Sequence, residues 1–272
     1  MSTWAAPYSR AFRGLAVAAS VVVAGCAGTQ SSGDISLVPA KTGQETQRDG
    51  WFSQPLRYEH TLPGCSGQCP ALTVNSLVFP GHPQLTSFID HALATMTGVT
   101  ADAPPYDTID QFERYFWKTA GPRDTVTLTA NVRYANRHLT VLELASWQYL
   151  TGAAHGITAT QFLNWDNRRQ QPLGLTDILE PGGHPAYVQA LRKAHTQWLG
   201  GHAPAADDPE NFTRLWPFQP SDNAAITDRG LVVKYDSYQI APYSSGQPEL
   251  LIPYEALRGI IRPAFLPQGA EG

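Results

Sequence analysis

The first 26 residues constrain this chain most, because they decide which part of it folds and on which side of a membrane. Arg10 and Arg13 precede an uncharged run of small and apolar residues from 14 to 25, and no acidic residue comes before it. A cationic start, a short apolar middle and small residues at the end are typical of a cleaved secretory signal. The run is shorter than the roughly 20 apolar residues that a transmembrane helix needs. We therefore expect residues 1–25 to be a signal peptide that is removed, and the remainder to fold after export.

Cys26 follows directly after Val23, Ala24 and Gly25, and a cysteine in this place resembles the signal of bacterial lipoproteins. That resemblance implies that Cys26 becomes the first residue of the mature chain and carries the lipid, palmitate included. Acyl chains bind the membrane through their buried methylene groups. The next residue is Ala27 rather than aspartate, which in Gram-negative lipoproteins implies the periplasmic side of the outer membrane. The alternative is an ordinary signal followed by a chance cysteine.

The mature chain is predicted to be acidic. Loss of residues 1–25 removes two arginines and no acid, so the formal net charge changes from −4 to −6. Nucleic acid is a poor partner for it, because binding a polyphosphate needs clustered lysine and arginine, and no run of these residues stands out in the sequence. A cationic partner protein is compatible with this charge. Residues 26–49 are polar with few bulky side chains, so we expect a flexible tether after the lipidated cysteine.

Residues 50–266 have the patterns of an α+β domain. Alternation of bulky and polar residues predicts strands, and recurrence at helical spacing predicts helices. The predicted strands are 56–62, 72–79, 125–134, 138–150, 157–165, 224–227, 231–235 and 249–252. The predicted helices are 83–98, 108–119, 185–199 and 254–261, with a helical turn at 210–215 and Asp107 as the N-cap of the second. Because strands and helices come in runs, we predict antiparallel sheets with helices packed on one face, including a meander over 125–165.

Two cysteines remain besides Cys26, and they are close together. Cys65 and Cys69 enclose a short loop between two predicted strands. An even pair of cysteines in an exported chain favours a disulfide bond, which would pin the turn. A redox pair is the alternative, but no thioredoxin-like pattern surrounds this spacing.

Sequence motifs for catalysis are missing. The chain has no nucleophile elbow, zinc-protease, phosphate-loop or dinucleotide pattern, and its eight histidines are scattered. We therefore predict no catalytic residues, no metal and no cofactor. His155 lies in a turn of small residues between two strands. It is either a base or ligand at the edge of a sheet, or a turn histidine bonded to nearby backbone.

Tyrosines are concentrated in the segment 235–246. Tyr235, Tyr238 and Tyr243 stand there among small polar residues, and such rings form either a rigid binding surface or a cover over the edge of the core. With Tyr149 and His155 they make up the candidate binding surface.

These segments together resemble the extracytoplasmic domain of RsiV, an anti-sigma factor. The resemblance covers about 145–262, and the segments that carry it are 149–156, 162–166, 173–179, 225–231, 238–246 and 251–254. The stretch 55–145 resembles more loosely the module that precedes this domain in RsiV and in some peptidoglycan deacetylases. The resemblance implies an α+β fold of two intimately joined subdomains, an N-terminal module at 50–144 and an RsiV-type domain at 145–266, with a tail at 267–272.

The ectodomain of RsiV binds lysozyme. RsiV also has a transmembrane helix and a cytoplasmic sigma-binding segment; this chain shows neither pattern, so we expect no direct contact with a sigma factor. No deacetylase domain is expected either. The sequence thus predicts a lipid-anchored cell-envelope protein with a non-catalytic domain that binds lysozyme or cell-wall glycan (peptidoglycan). The alternatives are an envelope hydrolase with its site around His155, and a structural envelope lipoprotein.

Overall fold

The computed structural model describes residues 52–98 and 106–267. The signal peptide, Cys26 and the tether lie outside the described residues, as do residues 50–51 and most of the tail. All of the described residues belong to one compact unit of the chain. No helix within these two described ranges is long and apolar enough to cross a membrane.

A six-stranded sheet forms the centre of the fold, and its strands are neighbours in the order in which they occur in the chain. They are β1 (Gln54–Thr61), β2 (Ala71–Val78), β3 (Thr125–Ala135), β4 (Leu139–Tyr149), β5 (Ile157–Asp166) and β6 (Gln171–Leu173). The predicted antiparallel meander is confirmed for β3, β4 and β5. β2 and β3 are parallel, however, which corrects the expectation of purely antiparallel sheets. The long connection between them carries two helices and brings the chain back in the same direction.

These two helices, α1 (Pro83–Thr95) and α2 (Ile109–Thr119), pack on one face of the six-stranded sheet. α1 buries Leu85, Ile89 and Leu93 at helical spacing against inward side chains of the strands. The N-cap of α2 is Thr108, whose hydroxyl accepts a hydrogen bond from the Gln111 amide at 3.2 Å. The prediction of Asp107 was therefore wrong by one residue, because the backbone turns into the helix after Thr108.

A smaller antiparallel sheet follows in the chain, in the order β7 (Ala224–Ile226), β8 (Gly230–Lys234) and β9 (Glu249–Pro253). The helices of this part are α3 (Leu175–Ile178), α4 (His184–Gly201), α5 (Ala203–Asp207), α6 (Pro209–Leu215) and α7 (Tyr254–Leu257). α4 packs on β9 and buries Tyr187, Leu191 and Ala194. The closing helix ends at Leu257 rather than at residue 261. Two sheets with segregated helices confirm the α+β class.

The face of the six-stranded sheet opposite α1 and α2 carries the smaller sheet. Successive side chains of a strand point to opposite faces, so Leu142 and Leu144 face the helices while Glu143 faces the smaller sheet. Asn164 of β5 joins the sheets: its Nδ2 donates to the carbonyl of Ala224 at 2.8 Å, and its Oδ1 accepts from the amide of Ile226 at 2.9 Å. The predicted boundary between residues 144 and 145 lies inside β4, and the large sheet runs across it.

Four charged side chains also link the two sheets. Glu143 accepts hydrogen bonds from Arg133 and Lys234, both at 2.6 Å, and Glu249 lies 2.8 Å from Arg133 and 3.1 Å from Lys234. All four side chains are mostly buried. Burial alone would lower the pKa of Lys234, but the two carboxylates outweigh it and raise the pKa. The two positive and two negative charges of this network balance.

The predicted disulfide bond is confirmed. Cys65 and Cys69 are bonded in the connection between β1 and β2, with their Cα atoms 5.9 Å apart. The bond closes the turn of the β1–β2 hairpin.

Candidate functional site

Three of the expected surface residues meet in space. The ring of His155 stacks on Tyr243 with centroids 4.3 Å apart, and Tyr238 lies 5.9 Å from His155 and 5.7 Å from Tyr243. His155 comes from the turn between β4 and β5, whereas the tyrosines come from the loop between β8 and β9. We call His155, Tyr238 and Tyr243 the aromatic surface, and residues 236–246 the tyrosine loop.

Both nitrogens of the His155 ring are hydrogen-bonded. Nδ1 lies 2.9 Å from the carbonyl oxygen of Gly156, and Nε2 lies 3.1 Å from the hydroxyl of Tyr238. A carbonyl oxygen only accepts, so Nδ1 donates to it and Nε2 accepts from the Tyr238 hydroxyl. The ring contacts of His155 within the described residues are Gly156, Tyr238 and Tyr243, and none is a carboxylate. His155 is therefore both bonded to backbone and part of a side-chain surface.

The tyrosine loop is attached to the large sheet at its first residue. Asp236 Oδ1 accepts hydrogen bonds from the amide of Thr160 at 2.7 Å and from its hydroxyl at 3.0 Å. The Asp236 amide donates to Gln239 Oε1 at 2.7 Å, and the Ser237 hydroxyl donates to the Gly246 carbonyl at 3.2 Å. These bonds hold both ends of the tyrosine loop in place.

Tyr238 has an unusual backbone conformation. Its φ of +73° lies in the left-handed region, which costs a residue with a side chain about 1 kcal/mol or more. Its amide donates to the Ala241 carbonyl at 3.1 Å, and the side chain remains 50 % exposed. A bulky residue thus adopts a conformation that favours glycine and keeps its ring half in solvent.

Further apolar side chains extend the aromatic surface. The Trp216 ring lies 6.2 Å from that of Tyr238, and the adjacent Leu215 is largely exposed. On the other side, a Cβ atom at Gly156 would lie 2.4 Å from Nε1 of Trp147, so only glycine lets the indole pack there. Sequence reasoning missed Trp147, Leu215 and Trp216. The signal for Trp147 was a bulky aromatic residue on the same side of the predicted strand as the charged Glu143.

Two residues of the expected binding surface, Tyr235 and Tyr149, lie elsewhere. Tyr235 is buried, with 1 % of its surface exposed, and its hydroxyl donates to the carbonyl of Gln219 at 2.7 Å. Burial raises its pKa. Tyr235 follows β8 on the inward side, so it supports the core and does not belong to the exposed surface. Tyr149, half-buried, pairs with Thr125 at the end of β4 and makes no ring contact with the aromatic surface among the described residues.

A stack of rings contacts the tyrosine loop at Ser245. The Ser245 hydroxyl lies 3.1 Å from His202 Nε2, His202 stacks on Trp198 at 4.5 Å, and Trp198 lies 5.9 Å from His195. His195 is 3 % exposed, and its Nε2 is buried with no hydrogen-bond partner among the described residues. Burial, and then the charge of Arg192, lower its pKa. The described residues contain no group of three or more His, Cys, Asp or Glu side chains placed to hold a metal ion.

The comparisons with known proteins agree on one family. The model of the family described as "Protein of unknown function (DUF3298)" matches residues 176–255, which include the tyrosine loop but not His155. The crystal structure of a member from Bacteroides fragilis NCTC 9343 is 21 % identical, covers 79 % of this chain and 95 % of its own, and has a TM-score of 0.57; it supports the fold alone. No curated protein matches the chain.

A second solved structure is much more similar in sequence. It is that of a DUF3298 family protein from Pseudomonas aeruginosa PAO1, with a TM-score of 0.73 and coverage of 79 % of this chain. Because 38 % of residues are identical over 96 % of that protein, this chain belongs to the DUF3298 family.

Proposed function

We propose that this protein is a cell-envelope binding protein, attached to the membrane by lipid on Cys26, that recognises a partner protein through the aromatic surface. One observation carries the proposal: three rings from two separate segments contact each other in an exposed patch, on a loop that hydrogen bonds hold in place. Rigid tyrosine and tryptophan side chains bury much area at little entropic cost, which is why they dominate binding hot spots.

Lysozyme is the partner that we propose first. The resemblance of 145–262 to the RsiV ectodomain supports it, and lysozyme is a basic protein whereas the mature chain carries a formal charge of −6 once residues 1–25 are removed. Opposite net charges accelerate encounter rather than provide most of the affinity. The rings would then supply the affinity. Cell-wall glycan is the alternative ligand, since exposed tyrosine rings also contact the apolar faces of sugars.

The test is binding of the full chain to purified lysozyme and to insoluble peptidoglycan, by pull-down and calorimetry. Tyr243→Ala removes the ring that stacks on His155, and should weaken binding by about tenfold or more. Tyr115→Ala is the matched control, because Tyr115 is a 41 % exposed tyrosine on α2. Failure to bind either ligand, or an equal loss in both variants, would refute a binding role for the aromatic surface and favour a structural lipoprotein.

The anchor is tested separately. Cys26→Ser removes the thiol that would carry the lipid, and should release the protein from the membrane fraction while thermal unfolding of the domain is unchanged. Retention of the variant in membranes would count against lipid attachment at this residue.

A hydrolase is the second candidate function, and the 3.1 Å contact between His155 Nε2 and the Tyr238 hydroxyl favours it. In that case the imidazole would withdraw the proton of the Tyr238 phenol. Tyr238→Phe separates the two functions, because it keeps the ring and removes the hydroxyl. A binding surface should lose little affinity, whereas hydrolysis of peptidoglycan should stop.

A further inference from the structure

A groove lies on the helix side of the large sheet, where α1, the start of α2 and the ends of β1 and β2 meet. Its volume is about 500 Å³. Leu56, Val78 and Ile109 give it apolar walls, and the hydroxyl groups of Ser87 and Thr108 border it. This groove is built from the opposite face of the sheet to the aromatic surface, so it is independent of the proposed function.

One half-buried carboxylate lines this groove. Asp90 Oδ1 accepts a long hydrogen bond, 3.4 Å, from the amide of Ile109, and no partner of Oδ2 is found among the described residues. Burial raises the pKa of Asp90, and the nearby Asp110 adds to this effect. The Ile109 amide and His91 act in the opposite direction without reversing the shift. The carboxylate is thus placed where a cation would stabilise its charged form.

Among the described residues that line the groove, His91 is the one whose positive charge acts on Asp90. The lining residues that are described include no lysine or arginine. Arg114, on α2, is paired with Asp110 instead. The ring of His91 donates from Nδ1 to the carbonyl of Asp107 at 3.1 Å, which directs that proton away from Asp90. Asp107 adds a second carboxylate to the lining, so the groove combines apolar walls with unbalanced negative charge.

The surroundings favour a polypeptide over a small free amine. A second recess of about 470 Å³, lined by Pro83, Gln84 and Phe88, adjoins the groove and shares Ser87 and His91 with it. Leu56 belongs to β1, the edge strand of the sheet, whose outer backbone groups have no strand partner within the described residues. Such an edge pairs with an extended chain. Together the second recess and the edge of β1 offer contacts to several residues of an extended chain.

We propose that this groove binds an extended polypeptide segment that places a lysine side chain against Asp90. The ammonium group pairs with the carboxylate, and the aliphatic stem lies on Leu56, Val78 and Ile109. Flanking apolar residues of the segment occupy the recess beside Phe88. A lysine suits the site better than an uncharged residue because the described lining residues include two carboxylates, His91, and no lysine or arginine.

The test uses the full chain, calorimetry at low ionic strength and three probes. The first is an end-blocked pentapeptide of sequence Ala-Leu-Lys-Leu-Ala; the second has norleucine in place of lysine, which keeps the stem and removes the charge. The third is butylamine, a free aliphatic amine. We expect the lysine peptide to bind about tenfold more tightly than either of the others. Absence of binding, or equal affinity of the norleucine peptide or of butylamine, would overturn the proposal.

Two variants link the affinity to the carboxylate. Asp90→Asn keeps the shape of the side chain and should remove the preference for lysine over norleucine. Because burial disfavours the charged carboxylate, Asp90→Asn should unfold at a temperature no lower than the wild type. Glu255→Gln, on α7, removes the same charge from another exposed part of the molecule and should preserve the preference. An Asp90→Asn variant that folds and still prefers the lysine peptide would contradict the assignment.

Discussion

The two faces of the six-stranded sheet are covered in different ways. On the helix face, Leu142, Leu144 and their neighbours pack against α1 and α2 with apolar side chains. On the opposite face, the smaller sheet is held by Asn164, Asp236 and the network of four charged groups that includes Glu143. Apolar packing depends on volume and tolerates small shifts, whereas buried hydrogen bonds and ion pairs require particular distances. The polar face is also the one that positions the tyrosine loop, so we infer that it determines where the aromatic rings lie.

The largest effect should come from breaking the ion network. Glu143→Gln leaves Arg133 and Lys234 buried with one carboxylate between them. We expect the free energy of unfolding to fall by about 3–5 kcal/mol in urea denaturation, because an uncompensated charge remains in the interior. Lysozyme or peptidoglycan binding, where present, should weaken as well, since the small sheet loses its position.

A fourfold replacement provides the control for this prediction. Changing Arg133 and Lys234 to methionine, and Glu143 and Glu249 to leucine, removes all four charges together and should recover most of the lost stability. A Glu143→Gln variant as stable as the wild type would mean that the network does not hold the sheets together.

A substitution on the apolar face should lower the stability by a similar or smaller amount, but it should not weaken binding. Leu144 is fully buried, and Leu144→Ala should lower the free energy of unfolding by about 3 kcal/mol through lost burial and the cavity that it leaves. Affinity at the aromatic surface, measured well below the unfolding temperature, should stay as in the wild type. Loss of affinity in a folded Leu144→Ala protein would show that both faces control the loop.

Asn164 tests the polar face with a single uncharged side chain. Asn164→Ala leaves the Ala224 carbonyl and the Ile226 amide without their partners, which should cost about 2 kcal/mol. Ser146→Ala, on β4 and facing the helices, removes one hydrogen bond to the Met96 carbonyl and is the matched control. If the polar face determines the position of the tyrosine loop, Asn164→Ala should weaken ligand binding and Ser146→Ala should not.

The sequence predicted the elements well because each depends on local pattern. Three such patterns are visible over a few residues: the alternation in β3, β4 and β5, the helical spacing of Leu85, Ile89 and Leu93, and the spacing of the two cysteines. The ion network was not predicted, because charged residues within a half-polar strand are typical of a solvent-exposed face. Only the smaller sheet, about a hundred residues later in the chain, turns that face into an interior.

The aromatic surface was predicted in part for the same reason. The density of tyrosines in 235–246 was visible, but β8 ends at Lys234 and the segment that follows is a loop. Its sequence has no regular period, so it did not show that Tyr235 points inward and Tyr238 outward. The contact of Trp216 with Tyr238 joins distant segments and has no local signal. The groove beside Asp90 likewise needs β1, β2, α1 and α2 in place before it exists.

The smallest predicted effect is a pH dependence that belongs to the small-sheet side. Burial, with a contribution from Arg192, lowers the pKa of His195 in the folded protein below the value near 6.5 of the unfolded chain. As the pH falls below about 6.5, the unfolded chain therefore binds a proton that the folded protein does not, and stability decreases until the folded pKa is reached. Between pH 7 and pH 5 we therefore expect the free energy of unfolding to decrease. His195→Leu should remove that loss. At pH 8 the imidazole is neutral in the folded and in the unfolded state, so the difference in stability between the two proteins there does not depend on pH. His195 supports the tyrosine loop through Trp198 and His202. If unfolding of the wild type and of His195→Leu depends on pH to the same extent, this ring stack is not the acid-sensitive part of the fold.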